Sequence, residues 1–118
     1  MGTSTDGILF YGVDFGEEEG PWGDAYGFED MVRERYGLDW KGFDKFPVEP
    51  VIYCSGDYPM LGLAVRGSVT TVRRGDCKDV GQSLTPPCDG IEEFAAELAK
   101  LGIETDGKRS WKLVSYWG

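Results

Sequence analysis

The chain has 118 residues and a formal net charge of −9, from 21 acids against 12 bases, with no histidine. That length fits one domain around one modest hydrophobic core, and 41% hydrophobic with 28% charged residues excludes wholesale disorder. No apolar run is long enough to span a bilayer as a helix. The missing histidine removes the commonest general base and most zinc sites, and the excess of acid argues against nucleic acid as a direct ligand.

Residues 1–7 read as a flexible tail, and residues 8–118 as a single α+β domain. The tail has neither the basic region nor the apolar stretch of a secretory signal, so a cytoplasmic setting is expected. Residues 8–14 (ILFYGVD) are rich in β-formers and short enough for a first strand. Residues 16–23 (GEEEGPWG) are dense in breakers and read as a loop. A helix follows over residues 26–36, with Phe28, Met31, Val32 and Tyr36 on one apolar face and Gly37 as its stop. Residues 38–49 alternate aromatics with charges and read as a packed irregular connection.

Residues 51–54 and 60–66 read as a hairpin around a five-residue turn, Ser55 to Pro59. Residues 68–73 again have strand character, either as a short extra strand or as a continuation past a bulge at Gly67. Residues 75–88 form the longest loop. The second helix carries the strongest pattern in the chain. Asp89 with Glu92 makes a capping box, Ile91, Phe94, Ala95, Leu98 and Leu101 make the buried stripe, and Gly102 with Ile103 fits a Schellman ending. Residues 111–117 close the chain as a strand with large side chains on both faces. The resulting order, β-α-β-β-α-β, is the ferredoxin-like (split βαβ) arrangement. Right-handed crossovers would then put both helices on one face of an antiparallel sheet, with the last strand at an edge.

The charge is lopsided. The first 32 residues hold eight acids (Asp6, Asp14, Glu17, Glu18, Glu19, Asp24, Glu29 and Asp30) and no base, leaving 13 acids against 12 bases beyond them. A one-signed segment creates a field that selects partners, whereas evenly spread charge mainly aids solubility. Glu29 and Asp30 suit a helix N-terminus, but the Glu17–Glu19 triplet beside Pro21 and Trp22 has no such local reason. A solvated loop, a divalent-cation site and a docking surface for a basic protein all fit that triplet.

The tip Cys54-Ser-Gly-Asp57-Tyr58-Pro59 gathers a thiol, a hydroxyl, a carboxylate and a phenol. A cysteine nucleophile needs an activating histidine or helix N-terminus, and a neighbouring Asp57 would raise the thiol instead. A small ligand-binding or catalytic cleft near Cys54, Asp57 and Tyr58 therefore stands as the alternative to a purely binding tip. Cys54, Cys77 and Cys88 are an odd set without CxxC spacing, which reads as free thiols. The four Trp and six Tyr exceed what a small core requires, and such residues are enriched where partners meet.

The segments Cys54-Ser-Gly-Asp-Tyr-Pro59 and Ser115-Tyr-Trp-Gly118, with the opening Ile8-Leu-Phe-Tyr-Gly12, resemble small uncharacterised proteins of tailed bacteriophages and prophages. That resemblance implies the cytoplasm of an infected bacterium and carries over no catalytic residue. Small acidic phage proteins often act by binding a host protein, so inhibition of a host factor or a defence system is the expectation it brings.

The combined expectation is a non-enzymatic acidic binding protein. Its candidate partner-contact residues are Glu17, Glu18, Glu19, Trp22, Asp57, Tyr58 and Trp117. No catalytic residue, cofactor or metal ligand is assigned. A host protein is the expected partner, with direct nucleic-acid binding disfavoured, no membrane association, and a homodimer through the C-terminal strand open.

Overall fold

The first strand, β1 (Thr5–Gly16), is apolar on both faces, and each face enters a different core. Successive strand side chains point to opposite sides; Ile8 and Phe10 join one cluster, while Tyr11, Val13 and Phe15 join the other. This computed structural model describes residues 5–18, 20–55, 58–73, 75–77, 79, 90–105 and 108–117, with side chains for all of these except 5, 6, 54, 55, 58, 116 and 117. The strand begins at Thr5, so residues 5–7, expected in the tail, instead pair with Trp117, Tyr116 and Ser115.

The remaining strands are β2 (Val48–Ser55), β3 (Tyr58–Val65), β4 (Thr70–Val72) and β5 (Ser110–Trp117). β1 lies at the centre. β5 runs antiparallel along one edge of it from Thr5 to Gly12, and β3 and then β4 occupy the other edge. β2 pairs antiparallel with β3 and reaches β5 in a single parallel step, Ser55 against Trp117. The sheet is therefore curled rather than flat. The expected five-residue turn is shorter, because Ser55 already pairs with Tyr58 and only residues 56–57 lie between the strands. Pro50 sits inside β2, where the edge away from β3 is unpaired and its missing N–H breaks no ladder bond. The open choice at residues 68–73 resolves into the short strand β4, which follows a turn at Gly67 (φ +91°).

Three helices, rather than the expected two, accompany this sheet: α1 (Gly27–Tyr36), α2 (Trp40–Phe43) and α3 (Ile91–Lys100). α1 ends at Gly37 with φ +65°, and the Leu38 N–H returns to the Arg33 carbonyl at 2.9 Å. α2 is one turn inside the segment expected to be irregular. Asp39 caps it by accepting from the Gly42 N–H at 2.8 Å, an Asp N-cap that the aromatic alternation conceals. α3 ends in a Schellman motif, with Ile103 N–H on the Leu98 carbonyl and Gly102 N–H on the Ala99 carbonyl. Its start differs from the expected Asp89 cap: the N-cap is Gly90 at φ +90°, with no side-chain cap, and Asp89 lies outside the described residues. No helix among the described residues is long and apolar enough to cross a membrane.

The larger core joins Phe28 and Val32 of α1, Phe43 of α2, and Phe94 and Leu98 of α3 to Val13, Val48, Leu61, Leu63 and Val65 of the sheet. Burying each such side chain contributes about 2 kcal/mol or more. All three helices thus cover the same sheet face. The opposite face folds on itself into the second cluster, made by Ile8, Phe10, Val51, Tyr53 and Ala64. Gly62 permits that closure, since a methyl group there would lie 2.6 Å from Cζ of the buried Phe10 ring. The fold is thus a small α+β domain with a curled, largely antiparallel sheet.

Arg66, at the turn after β3, ties the sheet to the α2 region. Its Nε donates to the Phe46 carbonyl at 2.9 Å, and its Nη2 to the carbonyls of Phe43 at 2.8 Å and Val48 at 3.3 Å. The guanidinium also lies over the Phe43 ring and 3.7 Å from the Glu49 carboxylate. An arginine fork suits such donation to several carbonyls better than a point charge.

Candidate partner-binding surface

The acidic segment leaves the sheet where β1 loses its regular pairing. The register on β3 shifts between Asp14 and Gly16, a bulge that turns the chain out of the ladder. The Asp14 carboxylate holds this exit in place. Its Oδ1 accepts from the Gly16 N–H at 3.1 Å and from the Tyr53 hydroxyl at 2.5 Å. Tyr53 is only 7% exposed, and burial together with the Asp14 carboxylate pushes its phenol well above the ordinary value of 10.0. The pair anchors the root of the acidic connection to β2 across the mouth of the curl.

Beyond it, the Glu18 N–H closes a turn on the Phe15 carbonyl at 3.0 Å. A second turn runs from Gly20 to Gly23, with Pro21 at its second position and Gly23 at its fourth, as type I turns favour. Trp22 is folded inward from that turn. It is 6% exposed, with its ring 5.0 Å from Phe15 and 6.5 Å from Phe28. Gly20 makes room for it, because a methyl group there would lie 2.5 Å from the indole. The expectation of Trp22 as an exposed partner contact is therefore corrected: it is mainly a core residue that pins the loop, and its aromatic neighbours in the fold outweigh its loop position in the chain.

With the tryptophan turned in, the carboxylates face out. Glu17, Glu18, Asp24, Asp30 and Glu34 are exposed. Asp24 accepts from the Tyr26 N–H at 3.0 Å and so organises the entry to α1. Among the described residues, Glu29 is the one acid of this connection and helix with an ion pair, to Arg33 at 3.5 Å. Between the Pro21–Trp22 turn and α1 runs an open groove of about 600 Å³, lined by Pro21, Trp22, Gly27, Asp30, Met31, Glu34 and Arg35.

The register places other expected contacts at the same end of the sheet. β1 stops with Gly16 opposite Leu61, and the β2–β3 hairpin continues three residues further to Tyr58, about 10 Å along the strand. Ser55 pairs with Tyr58 on one side and with Trp117 on the other. The backbone thus places Tyr58 and Trp117 on either side of Ser55, two strand spacings apart, while Trp117 also pairs with Thr5 at the start of β1. Their side chains, together with Glu19 and Asp57, lie outside the described residues, as does the side chain of Cys54. Cys77 is a free, exposed thiol. Among the described residues no group of three or more acidic or cysteine side chains converges as a cation site would require.

Surplus aromatics do reach the surface. Tyr26 and Trp40 are each 60% exposed, and Lys41 lies 5.5 Å over the Trp40 ring. Trp111 is half-buried edge-on against Tyr11 at 5.4 Å, while Leu113 on the same face of β5 is 76% exposed. Nothing in the local sequence separates Leu113 from the buried leucines. Its exposure follows from the helices covering β1, β2 and β3 instead of β5. Comparison with protein-family models, with curated proteins and with solved structures returns no match.

Proposed function

We propose that this protein is a non-enzymatic binding module that presents its acidic β1–α1 connection to a protein partner. The observation that carries this reading is the row of exposed carboxylates Glu17, Glu18, Asp24, Asp30 and Glu34, none with an ion pair among the described residues, on one loop and helix. Unpaired charge of one sign steers association and selects a basic surface. The hairpin end with Asp57 and Tyr58, and Trp117 beside Ser55, would flank that contact. A ferredoxin-like topology for the β2-β3-β1-β5 pairing, a host factor or defence protein as the target, and a bacterial cytoplasmic setting belong to the same proposal; the last two rest on the resemblance to small phage proteins.

Charge reversal of Glu17, Glu18 and Glu19 to lysine tests it. Association with a partner captured from bacterial lysate should slow by about tenfold or more at low ionic strength, and the difference should shrink as salt rises. An on-rate that does not change, or that changes equally at high salt, refutes the acidic connection as the steering element.

A further inference from the structure

We infer that the groove between the Pro21–Trp22 turn and α1 receives an arginine- or lysine-bearing segment of a protein partner, with Asp30 and Glu34 holding the cationic head; this rests on the protein-binding reading above. The groove is lined by the apolar side chains of Pro21, Trp22 and Met31, by the acids Asp30 and Glu34, and by Arg35. That combination fits a side chain with an aliphatic stem and a charged end.

The helix itself gives no reason for this pair of acids. Asp30 lies in the first turn of α1, where the helix dipole favours an acid, but Glu34 lies in the last turns, where it does not. The two are four residues apart, so they are neighbours on the helix surface and repel. Neither has an ion pair among the described residues. Of the bases on the same helix, Arg33 pairs with Glu29, and Arg35, which also lines the groove and keeps its charge, donates through Nη2 to the Lys100 carbonyl at 3.2 Å. A like-charged pair left open beside apolar side chains is satisfied by a cation from outside. An extended basic segment fits an open groove of about 600 Å³ between a turn and a helix.

The test uses the full chain and a short synthetic peptide of alternating arginine and glycine, with a second peptide carrying citrulline in place of arginine. Titration calorimetry at low ionic strength should show binding of the arginine peptide and at least about tenfold weaker binding of the citrulline one. Asp30→Asn with Glu34→Gln should weaken the arginine peptide by about tenfold, whereas Glu92→Gln with Glu93→Gln, on exposed positions of α3, should change it by less than about twofold. The groove variant should melt close to the parent, because the repulsion it removes offsets the favourable helix-dipole interaction lost at Asp30, and this separates lost binding from lost folding. Equal loss in both double variants, equal binding of the two peptides, or no binding of either overturns the inference. A lysate partner that is lost on Glu17–Glu19 reversal but retained by the groove variant would leave the protein-binding reading standing and remove the groove from it. Groove binding of the peptide with no effect of the triplet reversal on that partner would do the converse.

Discussion

Replacing Tyr53 with phenylalanine removes one oxygen atom and isolates the anchor of the acidic connection. The hydroxyl donates to a carboxylate at 2.5 Å, and a hydrogen bond to a charged group contributes about 1.5–3 kcal/mol. Asp14 is exposed and regains water once the phenol is gone, so the loss falls at the lower end, about 1.5 kcal/mol, or roughly 5 °C in Tm for a domain of this size. The pH dependence is more diagnostic than the size. Burial and the Asp14 carboxylate raise the folded-state phenol above its ordinary 10.0. Below that value both the folded and unfolded chains carry the proton, and the contribution is fully present. Above it the unfolded chain ionises first, the folded state holds more protons, and stability falls as pH rises. Each pH unit through that window removes up to about 1.4 kcal/mol from the parent and none from Tyr53→Phe. Urea denaturation of both proteins from neutral pH to about pH 11 should therefore show their stability gap closing above pH 10. Tyr36, also raised, by burial and then by Glu97, titrates equally in both proteins and cancels. Two curves that decline in parallel would refute the claim that the Tyr53–Asp14 bond holds this exit.

Two further perturbations probe the curl and its attachment. Gly62→Ala places a methyl group 2.6 Å from the fully buried Phe10 ring, and overpacking of this kind costs about 1–3 kcal/mol. Adding Phe10→Leu should recover part of that loss in a denaturant double-mutant cycle, and strict additivity would show that the two residues do not share the space. Arg66→Lys keeps the charge but cannot reach the Phe43, Phe46 and Val48 carbonyls together, so the urea midpoint should drop by the equivalent of about 1.5–3 kcal/mol with the slope unchanged. A lysine variant as stable as the parent would mean that the ion pair with Glu49, and not the fork, is what matters.

Legibility in the chain followed the range of the force involved. Helix α1 and the body and ending of α3 were readable because their signals, an apolar stripe and a glycine stop, act over a few residues. The single-turn α2 was not, since its Asp39 cap is hidden in a segment whose aromatic spacing has no clear period. The short hairpin connection is not legible, because Tyr58 and Pro59 look like turn residues, yet their pairing with Ser55 and Cys54 draws them into β3. In the candidate site, the exposure of Glu17 and Glu18 followed from charge alone. The inward turn of Trp22 did not, because it depends on Phe15, Phe28 and the space left by Gly20.

By itself, then, the sequence determined an α+β chain, its two longer helices, an acid-rich first third and the absence of any histidine-based chemistry. These are properties of composition and of local periodicity. Only the tertiary structure decided that β1 has cores on both faces, that Asp14 bonds to a tyrosine 39 positions away, and that Asp30 and Glu34 line a groove beside Trp22. Each of these depends on strand register and on which surfaces the helices cover, and register is set by contacts between residues far apart in the chain.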